Sequence, residues 1–342
     1  MRRLLAFDPR NCTLVADGRR RKARGVGTTG RAQRFVITTP GTALTMRVLE
    51  RGWVSSNNVL LFDDNHSATL VDTGYVTHSE QTLALVRHAL EGRRLARIIN
   101  THLHSDHCGG NALLSRELNA TIAIPPGHAE AVACWDDATL GYSACGQTCD
   151  RFSFDSVLRP GEHQIIGESE WEALASPGHD PHSIILWNAE DRTLISADAL
   201  WEHGFGAIFP EVEGESGFAE QRAILELISR IKPRLVIPGH GAPFTEVDQS
   251  LERAFARLDA LASNPERNAR SVIKTLLKFH LMIVRSVGLE ELIQRCLGWH
   301  YARTINERYF ALPFGEFITR NVAELAASGA LLLQNGSVVN QD

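Results

Sequence analysis

The chain has 342 residues, of which 44% are hydrophobic and 22% charged, and a formal net charge of −5. That length suits one large domain with a smaller one, and the composition allows a sizeable core. The mild acidity argues against a generic nucleic-acid binder, and no apolar run approaches the ~20 residues of a membrane-spanning helix.

The opening, MRRLLAFDPRN, has no apolar core of a secretory signal, because Asp8, Arg10 and Asn11 interrupt it at once, so a cytoplasmic protein is expected. Six cysteines at irregular spacings do not make a disulfide framework, and reduced thiols are expected. Residues 1–40 carry Arg2, Arg3, Arg10, Arg19, Arg20, Arg21, Lys22, Arg24, Arg31 and Arg34 against only Asp8 and Asp17. Such a stretch reads as a disordered basic tail, and Met46 is a candidate alternative start.

A catalytic domain is expected over 41–248. Residues 44–51 and 58–62 read as strands around a turn at Ser55-Ser56-Asn57, and SATLVDTG (67–74) as a third. SEQTLALVRHALEG reads as a helix with Ser79 as N-cap and Gly92 as its stop. ARIINTH (96–102) is a buried strand, Asn111 to Leu118 a helix and ATIAIPP a strand, whereas 126–153 shows no period. Strands follow in VLRPGEHQIIG, WEALASPGH, SIILWNAE and RTLISADAL, then a helix over 217–231 and a last strand over 234–241. The pattern fits an α/β sandwich of two sheets with helices outside. Beyond about 248 helical periods dominate, over 248–262, 268–287 and 288–297. A helix then ends at Gly329, and strands flank Asn335-Gly336. This helical, winged-helix-like unit is expected over 249–342.

The strongest feature is Thr101-His102-Leu103-His104-Ser105-Asp106-His107-Cys108-Gly109-Gly110, which follows a strand directly. Imidazole and carboxylate groups clustered in one loop are what zinc takes at its borderline-soft site. Further along stand Asp72 in VDTG, His179 in SPGHD, Asp198 in ISADAL and His240 in IPGHG.

His102-x-His104-x-Asp106-His107, followed in order by the His179, Asp198 and His240 motifs, resembles the signature of the metallo-β-lactamase superfamily over about residues 44–245. The resemblance implies an αββα sandwich and two cations, most simply Zn2+, although iron and manganese suit the same ligands. It implies one metal on His102, His104 and His179, a second on Asp106, His107 and His240, and Asp198 between them. Such a pair lowers the pKa of shared water to near ~7, so a bridging hydroxide can attack a carbonyl. Asp106 is then also catalytic, orienting that nucleophile or taking its proton, and Asp72 steadies the ligand loop from behind.

A bridging carboxylate such as Asp198 resembles the glyoxalase II, lactonase and phosphodiesterase branches, whereas the antibiotic-hydrolysing branch usually lacks it. The expectation is therefore a hydrolase of a small acyl ester, thioester or lactone, with no membrane or nucleic-acid partner and as a possible homodimer. The alternatives are a phosphodiesterase or ribonuclease on the same metals, and a mononuclear iron oxygenase resembling the persulfide dioxygenases. Trp201, His203, Phe205 and Phe209 follow Asp198 closely and are candidate substrate contacts. His182 stands where the family has a small residue, and reads as a support for His179 or a substrate contact. Cys145 and Cys149 read as ordinary thiols, with a redox pair as the alternative. From the C-terminal unit, Tyr301, Tyr309 and Phe314 are candidates to reach the pocket.

Overall fold

The computed structural model describes residues 31–39, 42–63 and 66–341, with side chains from Met46 onward. The basic stretch expected as a tail lies outside the described residues as far as residue 30. Its last part, Arg31–Thr39, forms strand β1 and pairs antiparallel with β2 (Thr42–Glu50). The run Phe35-Val36-Ile37-Thr38-Thr39 carries the aromatic and β-branched residues that strands favour, which outweighs the basic residues before it.

β3 (Asn58–Phe62), β4 (Ser67–Val71), β5 (Arg94–Ile99), β6 (Thr121–Ile124) and β7 (Ser156–Val157) complete a seven-stranded sheet in the order β1 to β7, parallel from β4 onward. Between these strands lie α1 (Ser79–Leu90), α2 (Ser105–Cys108), α3 (Asn111–Leu118), α4 (Ala129–Cys134) and α5 (Asp137–Leu140). Ser79, expected as the cap of α1, is instead its first residue, because a 3-10 turn over Val76–His78 leads straight into the helix. A second sheet of β8 (His163–Ile166), β9 (Ser169–Ala175), β10 (Ile184–Asn188), β11 (Thr193–Ala197) and β12 (Leu235–Pro238) has the order β12-β11-β10-β9-β8. The short α6 (Pro210–Glu213) packs through Val212 on the C-terminal core, whereas α7 (Phe218–Ile231) and α8 (Val247–Ala262) pack on the outer side of this second sheet.

Strand periodicity decides what each face buries. In β3, Val59 and Leu61 join Met46, Val71, Ile99, Trp171, Ile184, Ile195 and Ile237 in the layer between the sheets. Leu60 and Phe62, one residue out of phase, pack against Leu83 and Val86 of α1 and Leu114 of α3. On the other sheet Ile185, Leu194 and Val236 face Ile224 and Ile228 of α7 and Leu251 and Leu258 of α8. The result is the helix–sheet–sheet–helix sandwich expected from the element pattern. It also accounts for strands apolar on both faces.

The C-terminal unit is helical: α9 (Pro265–Val284), α10 (Leu289–Leu297), α11 (His300–Ile305) and α12 (Phe314–Ala327) surround a core containing Leu276, Leu292, Ile305, Phe317 and Val322. Asn264 caps α9 through its side chain and Pro265 occupies the first turn. The helix expected to run to 287 stops at Val284, because Arg285 takes φ 65° and opens β13 (Ser286–Gly288). This strand pairs with β15 (Ser337–Asn340), which also pairs with β14 (Leu331–Gln334). Asn335 and Gly336 both have positive φ in the β14–β15 turn, as the Asn-Gly dipeptide predicts.

At the seam with the sandwich, Phe279 of α9 meets Tyr75 edge-on at 5.2 Å, next to Val54 and Met282. Replacing Phe279 by alanine is expected to cost about 3 kcal/mol, as for other buried phenylalanines. Chemical denaturation of the intact chain measures this, and a change below a few tenths would show that the seam bears little load. Among the described residues no helix is long and apolar enough to cross a membrane.

Candidate metal centre

The implicated side chains leave the ends of strands from both sheets. Asp72 follows β4, the His102–His107 loop follows β5, His179 follows β9, Asp198 follows β11 and His240 follows β12. Local backbone geometry aims them. Asp72 and Ala197 take positive φ, 57° and 45°, a costly conformation for residues with a Cβ. At Ala197 the pairing of β11 with β12 shifts register, which turns Asp198 inward. Gly239 allows a close approach, since a Cβ there would lie 2.2 Å from Asp198 Oδ1 and 2.9 Å from His107 Cε1. Asn57, in the β2–β3 loop, donates to the carbonyls of Pro238 at 3.0 Å and Gly241 at 2.7 Å, fixing the loop that carries His240.

Three imidazole nitrogens converge on one side. His104 Nδ1 is 3.1 Å from His102 Nε2 and 2.8 Å from His179 Nε2. His179 donates through Nδ1 to the Ala207 carbonyl, which leaves Nε2 to face the cluster. On the other side His240 Nε2 is 3.1 Å from Asp106 Oδ2, and His107 Nε2 is 3.9 Å from the same oxygen. Asp198 lies between, with Oδ2 3.4 Å from His179 Nε2 and Oδ1 3.5 Å from His107 Nε2. The ligand atoms of His102, His104 and His179, of Asp106, His107 and His240, and of His102, His107 and Asp198 each lie within 4.8 Å of one another.

Asp72 stands behind the loop. Its Oδ1 accepts the Thr101 N–H at 2.9 Å, and its Oδ2 accepts the Thr101 hydroxyl and His107 Nδ1, both at 2.8 Å. Nδ1 of His107 donates to the Asp72 carboxylate, so Nε2 is the nitrogen turned to the cluster.

Electrostatics separate the two halves. Burial, aided by the neighbouring histidines, holds His102 well below its usual range and His104 at about 4. Burial also disfavours a charged His107, but the Asp198, Asp72 and Asp106 carboxylates outweigh it and raise that group well above its usual value. Asp106 and Asp198 feel the reverse. Burial pushes them up, while His107 and His240 hold both below the ordinary carboxylate range.

Whether these residues fit metal ions can be judged from the donors themselves. Three imidazole nitrogens crowd together, 2.8 to 3.1 Å apart along His102, His104 and His179, and a cation held by them relieves that arrangement. His107 Nε2 is buried and makes no hydrogen bond, which is costly unless it has a ligand. The donor set therefore fits.

The remaining candidates divide. Phe209 meets His104 and His179 edge-on at 5.4 and 5.8 Å, and Tyr301 of α11 packs on Phe209 at 5.2 Å. Trp201 donates through Nε1 to Asp198 Oδ1 at 3.2 Å and meets His240 edge-on. Phe205, however, is fully buried in the core under Arg257 and cannot meet a substrate. Gly204, at φ 138°, turns the chain so that this ring goes inward. His203 is solvent-exposed beside Glu202. The His182 ring turns outward against Gly127 and His128, and only its backbone N–H reaches the site region, through Asp180 Oδ1. Tyr309 donates its hydroxyl to the Glu211 carbonyl, and Phe314 packs on the C-terminal core.

Sequence reasoning missed two contributors. Asp180 is buried with Oδ2 3.7 Å from His104 Nε2, and its only sequence signal was a carboxylate directly after His179. Trp53 stacks on His240 at 5.4 Å, with ring planes 10° apart, and touches Trp201 while remaining 56% exposed. An exposed tryptophan in the β2–β3 turn carries no such signal.

Fold and donor set together define a metallohydrolase-type centre, and the sequence matches the metallo-beta-lactamase superfamily over residues 51–240, so the chain belongs to that family. It is similar to a hydroxyacylglutathione hydrolase of Methylococcus capsulatus, with 30% identity over 141 residues, 40% of this chain and 44% of that one. It is also similar to the acyl-coenzyme A thioesterase MBLAC2 of Homo sapiens, with 26% identity over 242 residues, 64% of this chain and 82% of that one. The chain thus spans less than half the length of the first of these relatives. Among solved structures, the BLEG-1 B3 metallo-beta-lactamase superposes with a TM-score of 0.50 at 21% identity, covering 61% of this chain and 97% of that one, a likeness of fold.

Proposed function

We propose that the chain is a dinuclear-metal hydrolase, most simply a zinc enzyme, that cleaves a small acyl thioester or ester. The position of Asp198 carries the reading. Its two oxygens reach toward His179 of one triad and His107 of the other, which suits a carboxylate shared by two cations. His102, His104 and His179 would hold one, and Asp106, His107 and His240 the other. Bound there, the pair would supply Lewis acidity and a water acidic enough to ionise near neutral pH.

The chain's own groups then have distinct tasks. Asp106, held below the usual carboxylate range by His107 and His240, would orient an incoming water and take its proton. Phe209 and Tyr301 form an apolar wall beside His104 and His179, and Trp53 and Trp201 form another beside His240. Together they offer surfaces for an acyl group and exclude water around it. The C-terminal unit thereby serves as a pocket wall through Tyr301. The thioester preference draws on the named activities of the two relatives.

The test is metal content by plasma emission on protein purified without added metal, with the same sample assayed on thioesters, esters, lactones, phosphodiesters and β-lactams. About two zinc ions per chain with acyl hydrolysis are expected, in keeping with a two-cation site. One iron per chain with oxygen uptake and no hydrolysis, or activity confined to phosphodiesters, overturns the reading.

A further inference from the structure

Cys145 and Cys149 read in the sequence as ordinary thiols, with a redox pair as the alternative, but the fold brings a different pair together. Cys149 Sγ lies 3.9 Å from Cys108 Sγ. Cys145 instead packs against the C-terminal core that includes Ala207, Phe209 and Tyr301. Cys108 is fully buried at the end of α2, directly after His107, with its Sγ 3.3 Å from the Tyr142 hydroxyl and 3.5 Å from the Leu103 carbonyl. Cys149 is half-buried. A half-accessible thiol against a buried one is the arrangement of an attacking and a resolving cysteine.

We propose that Cys108 and Cys149 are a site of reversible oxidative modification, forming an internal disulfide by exchange with a low-molecular-weight disulfide. In the first step Cys149 attacks the small disulfide, forming a mixed disulfide and releasing one small thiol. Cys108 then attacks the Cys149 sulfur and releases the second. The two protein thiols lose two electrons and two protons in all, and the small disulfide is reduced to two thiols. The inference stands independently of the hydrolase reading.

Closing from 3.9 Å to a bond requires a movement of about 2 Å, and the surroundings decide which side moves. The α2 segment is tied down by Ser56 N–H to the Asp106 carbonyl at 2.9 Å, Thr73 N–H to the His107 carbonyl at 2.7 Å and Gly109 N–H to the Ser105 carbonyl at 2.9 Å. Residues 147–154, around Cys149, form neither helix nor strand. Cys149 therefore travels toward Cys108. It draws on the contacts of Thr148 with the Tyr75 hydroxyl and of Gln147 with Ser105, while the ligand loop stays in place.

The experiment treats the metal-loaded full chain with oxidised glutathione, followed by peptide mass mapping without reduction and by metal analysis. The expected product is a Cys108-to-Cys149 linked peptide, two hydrogens lighter than its parts and reopened by a phosphine reductant, with bound metal unchanged. Cys149→Ser should abolish the link and leave Cys108 unmodified. Cys145→Ser, a change outside the pair, should oxidise like the parent chain. A stable glutathione adduct on Cys149 or a link from Cys149 to Cys145 overturns the proposal. Loss of metal on oxidation overturns the assignment of the movement to Cys149.

Discussion

Asp198→Ala is expected to lower kcat/KM on the best substrate of the panel about 10³-fold, or about 4 kcal/mol of activation free energy. The carboxylate lies between the two triads, so its removal leaves His179 and His107 without their shared acidic neighbour. It also removes the acceptor of the Trp201 indole N–H, freeing that ring from the edge of the site. Because Asp198 is buried and its neighbours are polar, the alanine variant needs a check of folding by circular dichroism. Asp198→Asn, which keeps the shape and the Trp201 contact but not the charge, separates charge from packing. A variant of either kind with parental activity would mean that Asp198 is not shared by two cations.

The second large effect concerns a residue that need not touch substrate at all. Asp72→Asn is expected to fold and yet to bind metal about 100-fold more weakly at the Asp106, His107 and His240 half, the upper range for a partner that orients a ligand. An amide oriented to keep accepting from Thr101 presents its NH₂ to His107 Nδ1. His107 must then accept at Nδ1 and carry its proton on Nε2, where the lone pair is needed. Asp72→Ala removes the acceptor altogether and strands buried donors of Thr101 and His107, with an expected stability loss of about 3 kcal/mol. Chelator competition measures the first effect and urea denaturation the second. Unchanged affinity in Asp72→Asn would show that His107 does not depend on this tautomer.

The parts legible in the sequence were those encoded locally. The His102–His107 run needs only a strand and the loop after it, and period-two alternation in strands such as β3 places residues on the correct layers. The His179, Asp198 and His240 motifs were added through the family resemblance, and in the fold each follows a strand. What was illegible depends on contacts between distant segments. Trp53 reaches His240 only because the β2–β3 loop is pinned to the β12 end by Asn57. Of Tyr301, Tyr309 and Phe314, named from the sequence as candidates, Tyr301 packs on Phe209 beside the site, and which of the three would do so depended on how the C-terminal unit packs. Phe205 misled for the opposite reason. Proximity to Asp198 in sequence suggested a pocket, but one glycine with positive φ sends the ring into the core. The thiols followed the same rule, since the two that meet, Cys108 and Cys149, stand 41 residues apart in the chain.

The proposed ligands are divided between the sheets: Asp106 and His107 follow a strand of the first, His179, Asp198 and His240 strands of the second. A cation held between them is a cross-brace whose tension depends on supply. Each tenfold rise of free metal above its dissociation constant deepens the folded state by about 1.4 kcal/mol. On the proposed reading, a chain starved of metal would lose catalysis and the clamp between its halves at the same time. Its lifetime in the presence of a protease, and not only its turnover, would then follow the metal economy of its surroundings.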